Sequence, residues 1–374
     1  MKVLIVGPAY PLRGGLATYD ERLAREFISL GHTCNILSFS LQYPKILFPG
    51  KTQFSTDPAP EGLHILSEIN SINPFNWIRV GNQIKKDGYD LVVFRYWMSF
   101  MAPAFGTITR RIKQNKHTRI LAICDNLIPH EKRFFDKVFT GYFVNACDGF
   151  LTMSQSVKSQ LEQWPVNKPV VYNPHPMYDM FGPTMPVDQA RKIIGLEDEK
   201  VLLFFGFIRP YKGLHLLLDA MAEERVKALN IKLVIAGEFY EDAQPYFDQI
   251  KQLGLDERVK LVNDFIPNSS VSAYFCAADA VIQTYLGATQ SGVTQIAYFY
   301  NKPMIITNVG GLAELVPHEK VGLVVEVDKD SIADAVVRFY QENLGPGMLP
   351  NIQEEKKRFT WDAIVQALIS LKRN

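Results

Sequence analysis

The chain has 374 residues, 47% hydrophobic and 21% charged, with a formal net charge of +1. That length exceeds what one core usually supports and points to two domains with the composition of a globular enzyme. The four cysteines, Cys34, Cys124, Cys147 and Cys276, show no C-x-x-C spacing, which excludes a disulfide framework and a cysteine zinc site, and no metal is expected. The opening run MKVLIVG is too short, and too soon followed by Pro8 and Gly14, to read as a signal peptide or a membrane span. The expected setting is therefore cytoplasmic, with a peripheral place at the inner face of a membrane as the one variant, and no nucleic acid partner is expected. Charge is uneven: the first 178 residues carry 20 Lys and Arg against 13 Asp and Glu, and the remainder 20 against 26.

In chain order, residues 2–6 read as a buried strand, followed by Arg13-Gly14-Gly15 and a helix with apolar positions at Tyr19, Leu23, Phe27 and Leu30, closed by Gly31. The loop lacks G-x-G-x-x-G, which argues against a nicotinamide or flavin enzyme. Paired glycines between a strand and its helix still let a ligand approach the backbone, although such a pair is more often only a turn. Residues 33–39, 90–96, 119–124, 149–153 and 169–172 continue as short strands between helical stretches, the pattern of a doubly wound domain. Residues 42–60, with four prolines, are too long and irregular for an ordinary connection and are expected to help shape an acceptor site. Arg110, Arg111, Lys113, Lys116 and Arg119 follow the apolar stretch 97–105. Two readings stand: a helix lying on an anionic membrane, or a solvated helix face, which is the commoner meaning of a charge run.

Asn173-Pro-His-Pro-Met and the proline-rich residues 181–186 read as a linker. Strands are then expected at 201–205, 231–236, 259–262, 280–284, 304–307 and 321–325, and helices at 214–221, 243–253, 271–277 and 292–300, a second doubly wound domain. Within it, the apolar run 201–205 ends at Gly206, and Arg209 and Lys212 stand where a strand hands over to a helix. Open α/β sheets bind ligands at such a place, and two cations beside a helix start suit a diphosphate; the bland reading is a solvated basic turn. A second turn, Thr284-Tyr-Leu-Gly-Ala-Thr-Gln-Ser-Gly-Val-Thr-Gln295, also joins a strand to a helix, and the N–H groups of Ser291, Gly292 and Val293 would lack partners there. The last helix, 359–371, places Trp361, Ile364, Val365, Leu368 and Leu371 on one face.

The segment Gly206-Phe-Ile-Arg-Pro-Tyr-Lys-Gly213 resembles the phosphate-clamping segment of nucleotide-sugar glycosyltransferases of family four, and the resemblance extends over nearly the whole chain. It implies an α/β fold of two Rossmann-like doubly wound domains facing each other (GT-B). An acceptor-binding domain is then expected at 1–178, a nucleotide-sugar-binding domain at 179–352, and a terminal segment at 353–374 whose helix crosses back to the first domain. It implies a retaining transfer from a UDP-, GDP- or other nucleoside-diphosphate sugar to a glycan or lipid-linked acceptor, with no cofactor. An arginine often follows the first glycine in this family; here Phe207 holds that place and Arg209 comes two residues later, while Lys212 matches.

The resemblance also implies site residues. Gly14 and Gly15 would lie against the donor diphosphate and sugar, and Ile266 would seat the base through its backbone. Asp125 stands where family members often have a histidine, and it and His130, in the Pro-His-Glu that follows, would meet the acceptor; a lone histidine is more often structural. The family's second turn carries two glutamates eight positions apart, for the sugar and the ribose, and here those places hold Gly287 and Gln295. Gln295 would keep the ribose contact through its amide, and Gln290 or Thr289 would take over the sugar contact. Two rivals share the fold: an epimerase of sugar nucleotides, and a non-catalytic subunit that binds them.

Overall fold

The computed structural model describes residues 1–44, 52–127, 135–165, 167–288 and 290–373. The first sheet is built from β1 (Lys2–Val6), β2 (Thr33–Leu41), β3 (His64–Asn70), β4 (Leu91–Tyr96), β5 (Arg119–Cys124), β6 (Gly149–Thr152) and β7 (Val170–Tyr172). Its order is β3-β2-β1-β4-β5-β6-β7, with every pair parallel. Parallel strands require crossovers, which the intervening helices supply, and strands covered on both faces become continuous apolar runs. Thus β4, LVVFRY, is buried at all of its positions. The edge strands differ: β7 has no fully buried position, and β3 is polar and buried only at Ile69, so the apolar-run criterion passed over it.

The second sheet contains β8 (Lys200–Phe205), β9 (Ile231–Ala236), β10 (Val259–Val262), β11 (Ala280–Gln283), β12 (Met304–Thr307) and β13 (Gly322–Val325), in the order β10-β9-β8-β11-β12-β13. It too is parallel throughout. Strand order reverses direction at β1/β4 in one sheet and at β8/β11 in the other, and the crevice above such a reversal is where doubly wound sheets take ligands.

The chain divides into a unit of residues 1–176 with 360–374 and a unit of residues 177–359. The sequence reading set its boundary after residue 178 and began the terminal segment at 353. In the structure the helix Lys329–Gln341, the helix Leu344–Glu355 and the turn Lys356–Arg358 all stay with the second unit. The terminal helix Trp361–Arg373 belongs to the first, where Trp361, Ile364, Val365, Leu368 and Leu371 are all buried. Among the described residues, no helix is long and apolar enough to cross a membrane.

The basic run of the first unit needs a correction. Phe105, Ile108 and Ile112 of the helix Ala102–Ile112 are fully buried in the first core with Phe94 and Phe143, so this helix has no apolar face left for a membrane. Its cations are used locally as well: the Arg110 guanidinium lies 3.8 Å from the Tyr142 ring centroid, and Lys113 pairs with Asp148 at 2.6 Å. The four cysteines are free and buried, as small core residues.

Candidate functional site

Strand β8 ends at Gly206, and the chain turns through Arg209 and a short 3-10 turn, Pro210–Lys212, into the helix Leu214–Met221. Gly213 joins turn to helix at φ 64, and a Cβ there would stand 2.0 Å from the carbonyl oxygen of Thr284, so only glycine fits. The same Thr284 shares its hydroxyl proton between the carbonyls of Gly213, 3.0 Å, and Lys212, 3.2 Å, while Leu286 N–H donates to Tyr211 at 2.7 Å. These bonds stitch the turn after β8 to the turn after β11, above the reversal of strand order.

Lys212 is 6% exposed, and its ammonium makes one hydrogen bond, to the carbonyl of Phe205 at 3.3 Å, with the Tyr285 ring centroid 5.5 Å away. Burial, with the nearby Arg209 charge adding to it, pulls its pKa down to about 7. Arg209 is exposed, its guanidinium 5.0 Å from the Tyr240 ring centroid. Among the described residues, neither cation has a carboxylate partner. Phe207, at the place of the family's arginine, packs between Tyr240 at 4.3 Å and Phe265 at 5.9 Å, so the loops after β8, β9 and β10 converge on an aromatic cluster beside the clamp. Ile266, next to Phe265, is buried.

The helix Gly292–Phe299 opens without a side-chain cap, because the hydroxyl of its N-cap, Ser291, faces the Tyr285 hydroxyl at 3.3 Å. Its first N–H groups, at Gly292 and Val293, are left for another acceptor. Val293 approaches the clamp directly: its Cγ2 lies 3.6 Å from the Cβ position that Gly206 leaves empty, and Lys212 Nζ lies 3.0 Å from the same point. Gln295 is 0% exposed, and neither atom of its amide has a hydrogen-bond partner among the described residues. An unpaired buried amide costs roughly 1–3 kcal/mol. Gln290 is half-buried two residues ahead of the helix, and Thr289 lies outside the described residues. Among the described residues, a Cβ at Gly287 would meet nothing within 4 Å.

In the first unit, Gly14 caps the helix Gly15–Ser29 at φ 107. Residues 52–55 pair with 11–13 just ahead of it, through Arg13 N–H to Gln53 at 3.0 Å and Ser55 N–H to Pro11 at 2.8 Å. That pairing uses part of the long irregular loop, of which residues 45–51 lie outside the described residues, as does His130. Asp125 departs from expectation. Both of its carboxylate oxygens accept from Arg95, Nε and Nη2 at 2.7 Å each, in a pair that is almost fully buried, so a sugar hydroxyl would have to compete with a guanidinium. Sequence reasoning missed Arg95, although a lone cation inside LVVFRY, otherwise apolar but for the final tyrosine, was a signal that it must hold a partner. Its guanidinium also lies 3.8 Å from the Tyr19 ring centroid, and Tyr19 touches His175 and Trp361 with centroids 5.0 and 4.9 Å away. Asp20, fully buried between Gly7 and Arg95, has two oxygens without a partner among the described residues. Burial above all holds its carboxyl well above the usual range.

Two doubly wound parallel sheets, of seven and six strands, are the architecture of the GT-B class of glycosyltransferase folds. The family model "Glycosyltransferase Family 4" matches residues 13–176 and "Glycosyl transferases group 1" matches residues 199–342; the chain belongs to the group 1, family-four glycosyltransferases. An uncharacterized glycosyltransferase of Methanocaldococcus jannaschii is 25% identical over 99% of this chain and 97% of its own. A D-inositol 3-phosphate glycosyltransferase of Kribbella flavida is 25% identical over 96% and 90%. Among solved structures, Anabaena HepE in complex with UDP-glucose superposes with a TM-score of 0.76 at 17% identity over 99% of each chain. Sucrose-phosphate synthase from Thermosynechococcus elongatus gives 0.75 at 17% over 100% of this chain and 98% of that one.

Proposed function

We propose that the protein is a retaining, metal-independent hexosyltransferase that moves a sugar from a nucleoside-diphosphate sugar to a glycan or lipid-linked acceptor. The observation that carries this reading is the pair Lys212 and Arg209, two cations without carboxylate partners among the described residues, beside an uncapped helix start. A diphosphate supplies what both lack, and as the glycosidic bond breaks the growing charge on the leaving diphosphate is held by donors already in place. Lys212 serves as an ammonium there, since an adjacent dianion favours its charged form. Gln295 takes ribose hydroxyls, Ile266 lies along the base, and Gln290 or Thr289 holds the sugar. Gly14 and Gly15 are assigned to the donor on family membership alone. Asp125, although held by Arg95, and His130 are the side chains assigned to the acceptor. Binding of UDP-glucose by Anabaena HepE supports a hexosyl donor, and retention rests on family membership.

For the acceptor, exposed Ile72 and Phe75, which follow the carboxyl end of β3, support a lipid-linked molecule. Peripheral contact with an anionic membrane is an electrostatic proposal, supported by the exposed cations Lys116 and Lys137 and by exposed Val138, Phe139 and Tyr142. One observation favours a second reading, a non-catalytic sugar-nucleotide-binding subunit: neither Gly287 nor Gln295 supplies a carboxylate. A thermal-shift screen of UDP, GDP and ADP comes first, since a ligand at a hundred times its Kd adds about 2.7 kcal/mol. Candidate diphosphate sugars are then offered with lipid and sugar acceptors. Transfer is expected; diphosphate binding with neither transfer nor hydrolysis selects the non-catalytic reading, and donor conversion without an acceptor selects the epimerase.

A further inference from the structure

The helix Gly292–Phe299, capped by Ser291 and carrying Val293 and Gln295, is held at both ends by the linker that enters the second unit. The chain passes between units at 176/177 and again at 359/360. One residue past the first crossing, the Tyr178 ring fills the space that a side chain at 292 would need: a Cβ on Gly292 would stand 2.9 Å from Tyr178 Cε2 and 3.6 Å from Cζ. Tyr178 is itself buried and stacks on Phe181 with centroids 5.6 Å apart. At the other end of the helix the Tyr300 hydroxyl donates to the carbonyl of Gly182 at 2.9 Å, so residues 178–182 hold both ends. The second crossing bears on the same helix. Phe359 packs against Tyr298 with centroids 4.9 Å apart, and the carbonyl of Phe359 accepts from Met177 N–H at 3.0 Å.

We propose that Tyr178 is a positioning residue that fixes the start of the Gly292–Phe299 helix and thereby ties diphosphate binding to the conformation of the linker at the unit crossing. The inference rests on the donor reading above. Gly292 is glycine because the Tyr178 ring occupies its side-chain space; the ring in turn is held by Phe181 and by the crossing. An anion on the N–H groups of Gly292 and Val293 needs the helix start within a few tenths of an ångström, since hydrogen bonds weaken steeply with distance and angle. Ring and helix start therefore act as one body, and what moves the linker moves the cradle.

The test is a double-mutant cycle read in diphosphate affinity. UDP, GDP and ADP are titrated into wild type, Tyr178→Ala, Tyr178→Phe, Gly292→Ala and the Tyr178→Ala/Gly292→Ala pair, with folding checked by circular dichroism, and amide exchange of residues 177–182 is followed with and without nucleotide. Each single alanine variant is expected to weaken the bound diphosphate about tenfold. The double variant should be weakened no more than about twofold beyond Tyr178→Ala, because the new methyl enters the vacated ring space, and Tyr178→Phe should restore affinity. The nucleotide should protect linker amides in wild type and not in Tyr178→Ala. Additive losses, wild-type affinity in Tyr178→Ala, or linker exchange indifferent to nucleotide in wild type overturns the proposal. If wild type binds none of the three nucleotides, the donor reading itself falls, and this inference with it.

Discussion

Thr284 and Gly213 lock two turns that lie 71 residues apart in sequence: the threonine hydroxyl donates to the glycine carbonyl at 3.0 Å, and the threonine carbonyl lies where a Cβ on residue 213 would stand. The turn after β8, proposed to hold a diphosphate, and the turn after β11 are consequently joined as one piece. Thr284→Val should lower stability by about 1–2 kcal/mol, the worth of a lost buried hydrogen bond, and weaken diphosphate binding without altering free-nucleoside binding. Gly213→Ala, which strains a left-handed residue and collides with backbone, should cost more than ~3 kcal/mol. Chemical denaturation and titration calorimetry measure both; a Gly213→Ala protein as stable as wild type would show that the turns are not locked.

If Lys212 binds the diphosphate as proposed, that binding should be pH-dependent. Its pKa near 7 in the free protein means that above neutrality most molecules must take up a proton to bind an anion there. Affinity for UDP should fall as pH rises above about 8, approaching tenfold per unit, and calorimetry in two buffers should register proton uptake. Lys212→Arg should abolish that dependence, because guanidinium does not titrate. For stability the sign is opposite. The pKa is lower folded than unfolded, so the buried ammonium is a penalty that is full below pH ~7 and fades toward 10.5, and Lys212→Met should stabilise the free protein most in acid.

Gln295→Leu separates binding from folding. Removing an unpaired buried amide should leave stability unchanged or raise it by up to ~2 kcal/mol, while affinity for nucleoside diphosphates falls about fivefold or more and affinity for pyrophosphate stays the same. Equal losses for the two ligands would remove the ribose assignment.

Asp20→Asn should be pH-dependent in its effect. Burial raises the Asp20 carboxyl, with Arg95 opposing and Asp125 and Glu21 reinforcing, so the folded protein keeps a proton that the unfolded chain loses near pH ~4. Wild-type stability therefore declines as pH rises from about 4, and Asn, which is neutral and isosteric, escapes that decline. The difference in Tm between Asp20→Asn and wild type should be small at pH 4 and grow in favour of the variant by pH 8. A difference independent of pH would mean that Asp20 is ionised when folded.

Local pattern alone determined much of this molecule. Buried parallel strands are continuous apolar runs, so β1, β4, β8 and β11 can be read from sequence, and the glycine-bounded turn with Arg209 and Lys212 sits at its strand end because chain direction and sheet type leave it nowhere else. The helix start at Ser291 and Gly292 and the buried face of the terminal helix were legible for the same reason, a short period in the chain. Only the tertiary structure decided which residues meet across long separations. Nothing near Asp125 announces that Arg95 takes both of its oxygens, nothing near Phe207 announces Tyr240 and Phe265, and Gly292 gives no hint of the Tyr178 ring. The helix Ala102–Ile112 shows the limit most plainly: its amphipathic pattern demands an apolar partner but does not name one, and the strand order, which places it over the first sheet, supplies the core instead of a membrane.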